Sequence, residues 1–185
     1  MSKMIITFSG LCGVGKTDVI RSVAKLIPAM SVSLGDAIRN EIRSRGWEAS
    51  PSVERQVQIE LREKYGQAAA AIALKHSIIG ALGSCDLLLI DSVCSPSELD
   101  QISGLGERTY AFSIHAHRHL RLERLANRNS RSMSAEDMML RDNLELSELG
   151  KGVTLGRAEY QFTNNTDLPS ITRAVSEQIA ALKLV

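Results

Sequence analysis

The sequence predicts a three-layer α/β fold: a central parallel sheet of about five strands, helices on both faces and a small helical lid. Three observations carry that prediction. Apolar runs alternate with helical segments along the chain, an order that yields parallel strands joined by helical crossovers. The run Asp86-Leu87-Leu88-Leu89-Ile90-Asp91 is apolar without alternation, as a strand buried on both faces requires. Finally, Gly10-Leu11-Cys12-Gly13-Val14-Gly15-Lys16-Thr17 stands between an apolar run and a helical segment and fits G-x-x-x-x-G-K-[ST], the phosphate-binding loop. The strand–loop–helix setting confirms the motif, so the fold class is that of the P-loop NTPases.

The elements follow in order. Residues 4–9 form the first strand and 16–27 the first helix, which Pro28 ends. Residues 30–34 form a short second strand. A helix runs over 36–44 from Asp36, with Gly46 as its stop. Ser50-Pro51 opens a helix that reaches Tyr65, and Gly66 breaks it. The alanine-rich stretch 67–82 reads as one helix on the sheet. After the strand 86–91 come a short helix at 97–103 and the strand Arg108–His115. A helix at 118–127, a polar loop at 128–132 and a helix at 134–149 follow, the last starting at Ser134 beside Glu136 and Asp137. A short strand at 159–164 and a helix at 168–184 close the chain.

The 185 residues suit a single domain spanning 1–185, with its lid at about 118–142. The net charge of +1 shows no broad nucleic-acid or membrane footprint, and few aromatics argue against stacking on single strands. No stretch is long and apolar enough to span a bilayer, and no leader is visible, so the expected location is cytoplasmic. Cys12, Cys85 and Cys94 lack metal or disulfide spacing and read as free thiols. Cys12 lies where amide dipoles can lower a thiol pKa, or is simply a small residue that fits the loop.

The loop itself specifies chemistry. Its glycines let successive N–H groups point at an anion, and the helix that follows adds its positive end. Gly10, Cys12, Gly13, Val14 and Gly15 form the cradle, Lys16 reaches the β/γ-phosphates, and the Thr17 hydroxyl ligates Mg²⁺. ATP and Mg²⁺ are the expected cofactors. In parallel sheets ligands sit beyond the carboxyl ends of the strands, which gathers 10–17, 33–39, 91–94 and the loop after Asn164 at one edge. Asp91, at the end of its strand, can hold Mg²⁺ through water or accept a proton from an attacking oxygen.

Ser33-Leu34-Gly35-Asp36-Ala37-Ile38-Arg39 resembles the S-T-G-D-x-x-R motif of adenylate kinases, with Leu34 in place of Thr. The resemblance implies a monophosphate site in which Asp36 and Arg39 bind the acceptor. An arginine there grips phosphate bidentately and stays charged. A capped helix with a solvated arginine would show the same residues. Ile59-Glu60-Leu61-Arg62-Glu63-Lys64-Tyr65-Gly66 is similar to a segment of a largely archaeal group related to adenylate kinase and dephospho-coenzyme A kinase. It implies an acceptor contact from Arg62, although a solvated helix face accounts for the charges equally. Adenylate kinases carry D-G-x-x-R at this place and the related archaeal group D-G-x-R. This chain has Asp91-Ser92-Val93-Cys94, which keeps the Asp but puts Ser92 for the Gly and Cys94 at the Arg position of the related group's pattern, and so removes one phosphate clamp.

Arg118, Arg121, Arg124, Arg128 and Arg131 crowd one region with a single acid, Glu123. This stretch, with Arg141-Asp142-Asn143-Leu144-Glu145-Leu146-Ser147, is similar to the lid of the same kinases. The resemblance implies that Arg124, Arg128, Arg131 and Arg141 face the triphosphate, where cationic donors stabilise the transferring charge and closure excludes water. A solvated basic face or a weak RNA-binding patch is the alternative. His115, His117 and His119 alternate, but no thiol or carboxylate cluster joins them to suggest a metal. Tyr160-Gln161-Phe162-Thr163-Asn164-Asn165-Thr166 resembles the strand and loop beside the adenine, which implies that Asn164 and Asn165 read the base edge.

Together these residues point to a nucleoside-monophosphate-kinase-type P-loop kinase acting on a small phosphate-bearing acceptor, a nucleoside monophosphate or dephospho-coenzyme A. The expected state is a monomer or homodimer, without nucleic acid or membrane partners. The other reading is a slow ATPase or ATP-binding regulatory protein that works with a macromolecule such as RNA.

Overall fold

Five parallel strands form the centre of the molecule: β1 (Met4–Ser9), β2 (Met30–Ser33), β3 (Leu87–Asp91), β4 (Arg108–His115) and β5 (Tyr160–Thr163). The computed structural model describes residues 3–129 and 131–184. Ser130, part of the polar loop expected at 128–132, lies outside the described residues. The strand order is β2-β3-β1-β4-β5. From β1 the chain runs to the sheet edge for β2, returns to lay β3 beside β1, and then crosses to the other side for β4, so a crevice opens at the carboxyl end of β1. The motif loop starts there.

β1 and β3 are buried along their whole lengths. Ile5, Leu88 and Ile90 pack with Ala70, Ile78 and Ile102 on one face. Met4, Ile6, Phe8, Leu87 and Leu89 pack on the other with Val19 and Val23 of α1 (Lys16–Leu26) and Val175 and Ile179 of α10 (Leu168–Lys183). Alternate side chains of an apolar strand thus find helices on both sides, which is why these runs show no polar alternation. Phe8 and Phe112 meet edge to face at 5.5 Å, joining β1 to β4.

Local chemistry sets the helix ends. α2 is Gly35–Ser44 and α3 is Pro51–Tyr65; Ser50 caps α3 by accepting from the Val53 N–H. The alanine-rich stretch is two helices, α4 (Ala69–Ala73) and α5 (Lys75–Ser84), broken at Leu74. α4 packs on α6 (Pro96–Ser103), while α5 packs on β2 and β3, and one straight helix cannot face both. α7 is Arg118–Ala126. The helix expected at 134–149 is α8 (Ala135–Asn143), capped by Ser134 and Asp137, followed by a π-helical turn over Leu144–Glu148. α9 (Lys151–Gly156) follows; its two glycines give no helical signal in the sequence. Among the described residues no helix is long and apolar enough to cross a membrane.

Candidate functional site

Three glycines shape the loop between β1 and α1. Gly10, Gly13 and Gly15 have φ of 152°, 80° and 89°. A Cβ on Gly10 would overlap the Ile114 carbonyl oxygen, one on Gly13 would lie 2.7 Å from the Arg121 carbonyl oxygen, and one on Gly15 would lie 2.5 Å from Asn164 Nδ2. Both the backbone conformation and the space therefore demand glycine. Gly13→Ala combines strained φ with a backbone clash and should cost about 2 kcal/mol or more, read as a lower midpoint in urea unfolding.

The loop is held from outside. Arg121 Nε donates to the Cys12 carbonyl at 2.7 Å, and its guanidinium pairs with Asp142 at 2.6 Å. Asn164 Nδ2 donates to the Val14 carbonyl at 2.8 Å. Arg124 donates to the Asn164 carbonyl at 2.8 Å and reaches the Val14 carbonyl at 3.5 Å. Inside, Lys16 Nζ donates to the Gly10 carbonyl at 2.6 Å and the Leu11 carbonyl at 3.2 Å. Burial, with Lys151 as the largest neighbouring charge, pushes the Lys16 ammonium down to about 8. Thr17 Oγ1 donates to Asp91 Oδ2 at 2.8 Å. A hydroxyl and a buried carboxylate so placed beside the loop are a donor set suited to Mg²⁺. Ser92, at the position where the adenylate kinase pattern has Gly, takes a left-handed φ of 68° and donates to Asp91 Oδ1 at 3.1 Å.

A cavity of about 460 Å³ opens over the loop. Lys16, Thr17, Asp36, Arg39, Asp91, Arg128, Arg131 and Arg141 all contribute to its wall. Arg39 folds back over Gly35 and gives two N–H groups to Asp36 Oδ1, at 2.8 and 3.0 Å. Arg131, with φ of 55°, pairs with Glu54 at 3.0 Å. Arg141 is held by Glu145 at 2.9 Å and by Glu54 at 3.7 Å. Burial and then the nearby Arg131 lower the Arg128 guanidinium from its ordinary value.

Other residues singled out in the sequence stand elsewhere. Arg124, Asn164 and Asn165 are not in the wall of this cavity. Arg124 and Asn164 are spent on loop carbonyls, because the outward-turned carbonyls need donors. Asn165 Oδ1 accepts from the His117 N–H at 2.8 Å. Arg62 is buried against Glu98 at 3.1 Å rather than on a solvated face. Burial, then Glu145, pushes the Cys12 thiol up, opposite to the lowering that loop amides alone would give. β4 ends at His115, so strand alternation does not relate it to His117. His117 instead stacks on His119 at 5.7 Å. Among the described residues no group of three or more His, Cys, Asp or Glu side chains is arranged to hold a metal by itself.

Sequence reasoning missed a buried charge group behind the loop. Lys151 Nζ donates to Glu145 Oε2 at 2.6 Å and to the Gly10 carbonyl at 3.4 Å, the carbonyl that Lys16 also uses. Burial alone would raise the Glu145 carboxyl, but Lys151 and Arg141 outweigh it and hold it down at about 2. Glu145 lies within the Arg141–Ser147 resemblance, but Lys151 stands in a glycine-bearing segment with no motif at all.

A family model described as an AAA domain matches residues 6–145. A UPF0200 protein of Thermococcus onnurineus is 32% identical over 181 residues, covering 95% of this chain and 96% of its own. One from Methanosarcina barkeri is 33% identical over 180 residues, covering 95% and 94%. Among solved structures, TT1252 from Thermus thermophilus superposes with a TM-score of 0.69 at 16% identity, covering 98% of this chain and 99% of that one. Shikimate kinase from Bacteroides thetaiotaomicron gives 0.65 at 14% identity, covering 96% and 98%. At such identities these structures show the fold, a five-stranded α/β fold of the P-loop NTPase kind.

Proposed function

The chain belongs to the AAA-domain family whose model it matches and to the UPF0200 proteins, and within that membership we propose, from the geometry of its site, that it is a P-loop kinase. It transfers a phosphoryl group from ATP, with Mg²⁺, to a small phosphate-bearing acceptor, acting as one domain with a lid at about 118–142. The observation that carries this reading is the cavity wall. It brings the phosphate loop, the Asp36–Arg39 pair and Arg128, Arg131 and Arg141 around one volume. A hydrolase needs no second polar clamp facing its loop. A transferase does, because the acceptor must be aligned with the donor.

In this reading the loop amides and Lys16 hold the β/γ-phosphates. Thr17 and Asp91 would hold Mg²⁺, which when bound neutralises phosphate oxygens. Arg39 grips the acceptor, with Asp36 fixing its planar fork. Arg128, Arg131 and Arg141 stand where charge develops on the moving group, and the lid keeps water from it. The test is ADP production from ATP·Mg²⁺ with nucleoside monophosphates, deoxynucleoside monophosphates and dephospho-coenzyme A, beside an acceptor-free control. One acceptor that lifts the rate well above the control names the substrate. A slow rate indifferent to every acceptor rejects the kinase and leaves an ATP-driven regulatory protein, a reading that the absence of the arginine clamp at Cys94 favours.

Arg39→Ala should raise the acceptor KM by about tenfold or more and leave the ATP KM within about twofold. Equal losses for both substrates would remove Arg39 from the acceptor site.

A further inference from the structure

α3 and the lid face each other across a gap. α3 packs on α2 and α4. A cavity of about 130 Å³ separates its first turns from the lid, with Pro51 and Gln58 on one side and Met133, Leu140 and Arg141 on the other. One side chain spans the gap. Glu54, in the first turn of α3, offers one oxygen to each of two lid arginines: Oε1 accepts from Arg131 at 3.0 Å, and Oε2 lies 3.7 Å from Arg141 Nη1. Among the described residues no other hydrogen bond or ion pair joins α3 to residues 118–142.

The same two arginines stand in the wall of the main cavity beside Arg128 and Lys16, and Glu54 does not. Cations gathered on one wall repel one another. Burial first, then Arg131, with Arg141 behind it, lower the Arg128 guanidinium. A carboxylate shared by Arg131 and Arg141 offsets that repulsion from outside the cavity. The two arginines are not held alike. Arg141 also has Glu145 at 2.9 Å. Arg131 has a φ of 55°, a strained backbone for a residue with a side chain, which persists only where the surroundings fix it. Among the described residues its ion-pair partner is Glu54. The Glu54 side chain is 14% exposed against 43% for Arg131, so the helix holds the loop and not the reverse.

We propose that Glu54 is a positioning residue for the lid: from α3 it fixes Arg131 and Arg141 where they meet the terminal phosphate of a bound triphosphate. The role rests on the kinase reading, which puts these arginines at the transferring group, and it adds a residue to that reading. Glu54 acts through the arginines and not on a substrate. It also links the two halves of the site. α3 packs on α2, which carries Asp36 and Arg39, so the arginines over the donor are held from the helix pair on the acceptor side. A carboxylate that merely competed with phosphate for the arginines would act with the opposite sign: its removal would tighten nucleotide binding.

A binding cycle tests this without turnover. The β,γ-imido analogue of ATP and, separately, ADP are titrated with Mg²⁺ by calorimetry into wild-type protein, Glu54→Gln, Arg131→Met and the double variant. Each single change should weaken the analogue about fivefold or more and leave ADP within about twofold, because the arginines meet the terminal phosphate. The double variant should fall well short of the product of the two single effects, since Glu54 acts through Arg131. It leaves no lone charge behind, and all four proteins should unfold cooperatively. An analogue bound equally or more tightly by Glu54→Gln overturns the proposal. So does equal weakening of ADP and the analogue, or two single effects that multiply in the double variant. If Arg131→Met leaves the analogue untouched, Arg131 has no part in binding the terminal phosphate, and the role of Glu54 falls with it. If the cycle comes out as expected and no acceptor is phosphorylated, the kinase reading fails and Glu54 stands. If wild type and Glu54→Gln phosphorylate an acceptor equally fast, the kinase stands and Glu54 fails.

Discussion

Lys16→Ala will abolish nucleotide turnover, lowering kcat by about two to three orders of magnitude, and will leave the fold intact. The rate effect follows from position. In the proposed reading Lys16 is the side chain of the loop that reaches the β/γ-phosphates, where charge on the transferring group grows. The stability effect follows from its titration. Lys16 sits at about 8 in the folded chain against an ordinary 10.5, because burial and Lys151 penalise its charge. A lowered lysine makes stability rise with pH between about 8 and 10.5; below 8 the full penalty is present. Removing Lys16 removes that penalty, so the variant should melt at or above the wild-type temperature at pH 7. A variant that turns over normally would falsify the role given to the loop. A variant that melts well below wild type would show that the two carbonyl contacts of Lys16 outweigh its desolvation.

Glu145→Ala should be the most damaging single change outside the hydrophobic core. It leaves Lys151 and Arg141 without their shared carboxylate, and breaking a buried pair costs about 3–5 kcal/mol. For a chain of this size that is a fall in Tm of about 6–20 °C. The pH dependence gives a second check. Glu145 is held at about 2 against an ordinary 4.5. Its contribution is complete above pH 4.5 and is lost as pH falls toward 2. That contribution is about 3 kcal/mol. Urea unfolding between pH 5 and pH 2 should therefore show a steep wild-type loss that is shallower in Glu145→Gln. Parallel curves would mean that Glu145 does not titrate in that window.

The strands and the phosphate loop were legible because each is specified locally. The unbroken apolar run before Asp91 and the glycine spacing of 10–17 leave little to tertiary context. The alanine-rich helix was misread in one respect, since its break at Leu74 answers to two different packing partners and not to a breaker residue. The short helix after Gly150 was invisible, because its glycines oppose helix formation and tertiary packing, on the turn after β3, on α6 and on the π-helical turn that carries Glu145, holds it. Lys151 could not be found for the same reason. The roles expected for Arg124 and Asn164 came from composition and resemblance. The structure adds what neither could contain, that loop carbonyls claim both side chains first.

Those carbonyl contacts have a thermodynamic consequence. Arg121, Arg124 and Asn164 hold the carbonyls of Cys12 and Val14 from three directions, so the curl of the loop is fixed before any ligand arrives. The ordering entropy of that segment belongs to folding and not to association. Capture of an anion there would be the docking of a small body into a rigid mould, with a rate set by diffusion and electrostatic attraction rather than by a slow rearrangement of the mould.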